Sequence, residues 1–162
     1  MKKLGRQTAE LEHRPCVAAS AAVVGKREGE GPLGRCFDYV SADSYFGEKS
    51  WEAAESHMIR HAFTLACNKA GTAADALDII ISGDLLNQCV STAFAMKDTG
   101  SPYFGVYGAC STMAESLALA GMLTDGGYAS TACAVTGSHF CTAERQYRFP
   151  LEYGGQRPPT SQ

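Results

Sequence analysis

Apolar residues recur every three or four positions at Trp51, Ala54, Met58, Ala62, Leu65 and Ala66, with Ser50 placed to cap the run and Gly71 to stop it. That period predicts an amphipathic helix over residues 51–70. A different pattern follows at residues 77–81, where Leu77, Ile79, Ile80 and Ile81 form a short, largely β-branched run ended by Gly83. Such a run suits a strand buried on both faces. Residues 85–96 read as a second helix with Asp84 as its cap, and Gly100-Ser101-Pro102 breaks the chain before a strand at 103–107. Residues 112–123 are helical by their Ala, Leu and Met content, Gly126-Gly127 ends them, and 131–135 is a further strand.

Nearer the N-terminus, residues 16–24 are rich in small residues and Val and read as a strand. The polar, glycine-rich residues 25–47 then form a long loop, either functional or a surface excursion turning at Gly29-Glu30-Gly31-Pro32. Residues 138–162 form a polar, aromatic and turn-rich loop segment. Between these two, strand and helix alternate. Alternation of that kind predicts an α/β fold, a βαβαβα series whose mostly parallel sheet is covered by helices.

At 162 residues, with 45% apolar and 19% charged residues, the chain has the size of a single domain with a real core. A net charge of −3 and the lack of a dense basic block argue against nucleic acid as a partner. No apolar run approaches the ~20 residues of a membrane span, and no apolar stretch follows the basic N-terminal residues as in a secretory signal. The expectation is therefore a cytoplasmic protein with no transmembrane segment, peripheral to a membrane at most. Seven cysteines without a C-x-x-C pair fit neither a disulfide framework nor a zinc ribbon, and six of them read as small buried hydrophobes.

The seventh, Cys110, stands apart. It lies between a strand and a helix in Gly108-Ala109-Cys110-Ser111-Thr112, where unpaired backbone N–H groups and the helix dipole favour a thiolate or an anionic ligand. A parallel sheet gathers its ligand site at the carboxyl ends of the strands, which brings Asp84, Cys110 and His139 into one candidate site. Cys110 is the candidate nucleophile there and His139 its candidate base.

Other residues carry two readings. Asp84, Asn87 and Gln88 either line the site or cap a helix. Glu144 and Arg145, with Tyr147, Arg148 and Phe149, form either a charged, aromatic wall for an anionic ring or an ion-pair network within a loop. His57 and His61 have the i, i+4 spacing of metal ligands, but no third ligand is marked and a solvated helix flank accounts for them, so no metal is assigned.

Several segments together resemble one family: Gly31-Pro32-Leu33-Gly34, Gly83-Asp84-Leu85-Leu86-Asn87-Gln88, Gly108-Ala109-Cys110-Ser111-Thr112, residues 142–150 and Glu152-Tyr153-Gly154-Gly155-Gln156. The chain is similar to the stage V sporulation protein AD family of spore-forming Firmicutes. The resemblance implies a thiolase-like fold, of which this chain is the amino-terminal half, truncated before the last strand of that half. It also implies a non-catalytic protein that binds dipicolinic acid, free or as calcium dipicolinate, for its transport in sporulation and germination. Calcium then enters only as part of the ligand, and no cofactor is expected.

The binding residues under this resemblance are Asp84, Asn87, Gln88, Cys110, Ser111, His139, Glu144 and Arg145. The implied partners are the other subunits of the spore dipicolinate channel and, in the full-length family, a second copy in a homodimer. The implied place is the forespore side of the spore inner membrane. Against this stands an acyltransferase of the thiolase and ketoacyl-synthase kind, in which Cys110 accepts an acyl group. Half of a two-repeat fold leaves an apolar face uncovered and a sheet edge unpaired, so self-association is expected.

Overall fold

The computed structural model of the protein describes residues 2–144. Strands β1 (Lys2–Leu4) and β2 (Thr8–Glu10) form an exposed antiparallel hairpin that precedes the main fold. The chain is then tied to Asp125, 112 positions on, by the His13 amide, which donates to Asp125 Oδ1 at 2.7 Å. Of the strand expected at 16–24, only β3 (Val23–Val24) is regular.

The expected loop at 25–47 contains more order than its composition suggests. It holds the short helix α1 (Lys26–Gly29), a single 3₁₀ turn at Gly34–Cys36, and β4 (Tyr39–Val40), which pairs in parallel with β3. A two-residue strand is too short to leave an alternation in sequence, which is why β4 could not be read there.

Helix α2 (Trp51–Ala70) has the expected bounds. Ser50 accepts from the Ala53 amide at 3.2 Å, and Gly71 takes φ +66° to close the C-terminus, a conformation that glycine adopts without the Cβ clash. Its buried face is rotated from the expected stripe. Ala54, Glu55, Ile59, Phe63 and Cys67 face the core, and Met58, Ala62 and Leu65 are only partly buried.

Strand β5 (Ile79–Gly83) is buried throughout and is followed by α3 (Val90–Met96), β6 (Tyr103–Gly105), a 3₁₀ turn at Ala109–Ser111, α4 (Thr112–Asp125) and β7 (Ala132–Thr136). The three strands form a parallel sheet in the order β6-β5-β7, with Ile80 opposite Tyr103 on one side and Cys133 on the other. Because successive side chains point to opposite faces, β5 feeds two cores. Ile80 packs with Ile59, Phe63, Ala95, Met96 and Val135 from α2, α3 and β7, whereas Ile79 and Ile81 pack with Ala120 and Ala129 on the α4 side. Burying one such isoleucine side chain contributes about 1.5–3 kcal/mol, so the three isoleucines of β5 anchor the sheet. The fold class is thus α/β, with a parallel sheet between helices.

Helix α3 starts five residues later than expected. Asp84 does not cap a helix at Leu85. Its Oδ1 accepts from the Leu86 amide at 2.8 Å and its Oδ2 from both the amide and the hydroxyl of Thr92 at 2.7 Å, holding residues 84–89 as a turn. Beyond β7, a π-helical turn at Phe140–Glu144 ends the described residues. Among the described residues no helix is long and apolar enough to cross a membrane.

Candidate functional site

The carboxyl ends of β5 and β7 and the start of α4 enclose a cleft of about 340 Å³. Gly83, Asp84 and Leu85 line it from β5, Ala109, Cys110, Thr112 and Met113 from the turn into α4, and Thr136, Gly137 and Ser138 from the end of β7.

The turn into α4 is bent hard. Ala109 sits at φ +49°, in the left-handed region, and the bend is held by the Gly108 amide donating to Thr112 Oγ1 at 3.1 Å and by Thr112 Oγ1 donating to the Ala109 carbonyl at 2.8 Å. Cys110 rides on this bend, exposed, with its residue lining the cleft. Ser111 stands at the N-cap of α4, yet its hydroxyl donates back to the Gly108 carbonyl at 2.7 Å, and α4 begins with no side-chain cap. The Ser111 and Thr112 amides are bonded to the Gly108 and Ala109 carbonyls of the preceding turn, so what the helix start offers without a side-chain cap is the positive end of its dipole.

Gly83 explains how close these parts lie. A Cβ there would strike the Val106 carbonyl oxygen and come within 2.6 Å of Thr112 Cγ2. Only glycine lets β5, the end of β6 and the start of α4 meet at the cleft floor.

Among the residues expected to bind, Asp84 and Cys110 come together at the cleft. The Asp84 carboxylate is 1% exposed and fully occupied by three donors, so it holds the floor in shape. Asn87 and Gln88 are exposed and lie outside the cleft lining, because residues 84–89 turn outward and do not continue as a helix. Ser111 lies between the lining residues Cys110 and Thr112 in the chain but is not itself part of the lining, and its hydroxyl is bonded to the Gly108 carbonyl. Arg145, residues 146–162 and the Glu144 side chain lie outside the described residues.

His139 occupies a different setting from that expected of a base. It is buried, its Nε2 lies 2.8 Å from the Ser44 carbonyl, and the Cys141 amide donates to its Nδ1 at 3.1 Å. A carbonyl can only accept and an amide can only donate, which fixes the neutral tautomer with hydrogen on Nε2. Both ring nitrogens are engaged by backbone, so in this arrangement His139 joins the segment after β7 to the segment before α2 and has no free nitrogen for Cys110.

His57 and His61 face aromatic rings. His57 lies 4.7 Å from the Phe46 ring and pairs with Glu48 Oε1 at 3.0 Å, and His61 lies 4.8 Å from the Tyr39 ring. The remaining cysteines are not uniformly buried as expected. Cys16 and Cys36 are exposed, Cys89, Cys133 and Cys141 are partly buried, and Cys67 is buried. Burial pushes the Cys89 thiol up and that of Cys133 up to about 12, which keeps both protonated.

One residue was not singled out in the sequence. Glu55 is 2% exposed inside the packing of α2, and its Oε2 accepts from or donates to the Thr142 hydroxyl at 2.5 Å. Burial pushes its carboxyl up to about 7, against the Thr142 hydrogen bond that lowers it and with the nearby Asp84 charge that raises it further. The His139 amide and the Ser91 hydroxyl also lower it, by less. The signal lay in the row Glu55, Ile59, Phe63, Cys67, where a carboxylate continues a buried i, i+4 stripe.

The geometry defines a parallel α/β protein with a cleft at the strand ends, where an uncapped helix start and an exposed cysteine meet. The chain belongs to the stage V sporulation protein AD family, whose model matches residues 5–162. It is 42% identical over 161 residues to stage V sporulation protein AD of Bacillus subtilis (strain 168), covering 99% of this chain and 48% of that relative. The chain thus spans about half the length of that curated relative. Among solved structures it is similar to 3-oxoacyl-[acyl-carrier-protein] synthase III from Aquifex aeolicus VF5, with a TM-score of 0.45 and 21% identity over 53% of this chain and 30% of that one.

Proposed function

We propose that this sporulation-family chain is a non-catalytic dipicolinate-binding component, with the cleft at the strand ends as the site for the dicarboxylate, free or as its calcium chelate. One observation carries the reading: Thr112 and Met113 at the start of α4 line the cleft, and no side-chain cap offsets the positive end of the helix dipole there, since the Ser111 hydroxyl is bonded to Gly108. Backbone amides and a positive helix end suit a carboxylate. Calcium belongs to the ligand and needs no protein site of its own. In the same reading the chain works beside other subunits of a dipicolinate channel at the spore inner membrane, and a second copy covers apolar surface such as Phe104 and Leu117, which are 54% and 52% exposed.

Under this reading Cys110 stays a thiol beside the ligand, because a thiolate next to a dianion adds like-charge repulsion. Calorimetric titration with dipicolinate, with and without calcium, tests the proposal. Saturable heat is expected, and Cys110→Ala is expected to change affinity without abolishing it. Absence of heat from either form of the ligand overturns it.

A second reading, an acyltransferase, draws on the exposure of Cys110 on the bend at Ala109. Among the described residues no histidine lines the cleft to serve it as a base. Intact mass after incubation with acyl-coenzyme A decides it: an added acyl group on Cys110 supports transfer, and an unchanged mass removes it.

A further inference from the structure

Thr142 has one hydroxyl hydrogen and two close oxygen neighbours: Glu55 Oε2 at 2.5 Å and the His139 carbonyl at 2.7 Å. The carbonyl can only accept. If Glu55 were a carboxylate it too could only accept, and one of the two short contacts would set lone pair against lone pair. Both are satisfied when Glu55 carries a proton, donates it to Thr142 Oγ1, and Thr142 donates its own hydrogen to the His139 carbonyl.

The geometry points to Glu55 as a neutral carboxylic acid that latches the turn after β7 through Thr142, so that its ionisation loosens residues 138–144 at the rim of the cleft. The relay reaches that rim directly. Thr142 bonds the His139 carbonyl through both its hydroxyl and its amide, His139 is fixed by Ser44 and Cys141, and Ser138 beside it lines the cleft.

The surroundings favour the neutral form. Among the described groups on the elements packed around Glu55, Asp84 after β5 is an acceptor-only carboxylate, and α3 brings no titratable residue. The turn itself brings His139, neutral by its two bonds, and Cys141, and β7 brings the buried-side thiol of Cys133. Among the described residues of these elements no cation faces Glu55, and burial opposes its charged form. The latch stands apart from the identity of the ligand, since it concerns the chain's own hydrogen bonds.

Two measurements on the chain test it. Infrared spectra of the wild type at about pH 6 are expected to contain the carbonyl band of a buried protonated carboxyl, absent from Glu55→Gln and lost from the wild type by about pH 8. Hydrogen exchange, corrected for the chemical pH dependence, is expected to lose at least about tenfold protection at Cys141 and Thr142 over the same range, a fold-change that corresponds to one pKa unit. Glu55→Gln keeps a donor toward Thr142 and is expected to hold its protection at both pH values. A wild type without the band at about pH 6, or an unchanged or equally changed protection in both proteins, overturns the latch.

Discussion

The Ser111 hydroxyl donates to the Gly108 carbonyl at 2.7 Å, so the residue at the N-cap of α4 serves the preceding bend and does not cap the helix. The side chain that would ordinarily neutralise that start is spent on shaping the turn. Ser111→Asp places a negative charge there. If the cleft takes dipicolinate, affinity is expected to fall about tenfold in low salt, while thermal stability holds or rises by a fraction of about 1 kcal/mol from the dipole interaction. Calorimetry and a melting curve on the same sample check the two signs, and unchanged affinity counts against ligand binding at this helix end.

Asp84 is predicted to matter through folding. Its carboxylate satisfies three donors inside the protein, two of them on Thr92. Asp84→Ala strands those donors and is expected to cost about 2–4 kcal/mol in denaturant unfolding, with Asp84→Asn retaining part of the loss because one acceptor survives. Equal stability of the alanine variant would show that residues 84–89 do not depend on this side chain.

Gly83→Ala is predicted to be more damaging than a surface glycine change. The added methyl meets the Val106 carbonyl, a backbone atom that cannot swing aside, as well as Thr112 Cγ2 at 2.6 Å. A loss of about 2–4 kcal/mol is expected, with the start of α4 losing hydrogen-exchange protection first.

Glu55 sets a pH dependence of stability with a definite sign. Its folded value, up to about 7, lies above the ordinary 4.5, so its stabilising effect is fully present below 4.5 and is lost as pH rises through about 7. Glu55→Gln removes that slope. The variant is therefore expected to gain on the wild type between these values, by up to about 3 kcal/mol above pH 7, as read from urea midpoints across the range. Parallel pH profiles of the two proteins would show that burial does not disfavour the ionised carboxyl.

The sequence made α2 legible to the residue at both ends because Ser50 and Gly71 are local signals, each acting within one turn of the helix. Its inward face was less legible. The row Ile59, Phe63, Cys67 faces inward, and not Met58 and Ala62, because packing against Ile80, Met96 and Val135 sets the rotation of the helix, which its period alone does not specify. Helix α3 was misread for a long-range reason, since the donors that hold Asp84 include Thr92, eight residues on. Topology alone placed Cys110 and Asp84 at the strand ends correctly, yet it could not tell that His139 turns its ring to Ser44, 95 positions earlier in the chain.

The left-handed backbone at Ala109 has a thermodynamic consequence for whatever meets Cys110. A non-glycine residue held at φ +49° costs about 1 kcal/mol in strain, and the chain bears that cost in its own folding through the Gly108, Ser111 and Thr112 bonds. A molecule arriving there encounters a bend whose backbone is already held. Little backbone freedom remains to be frozen on association, so the free energy of each new hydrogen bond goes into affinity and not into bending the chain.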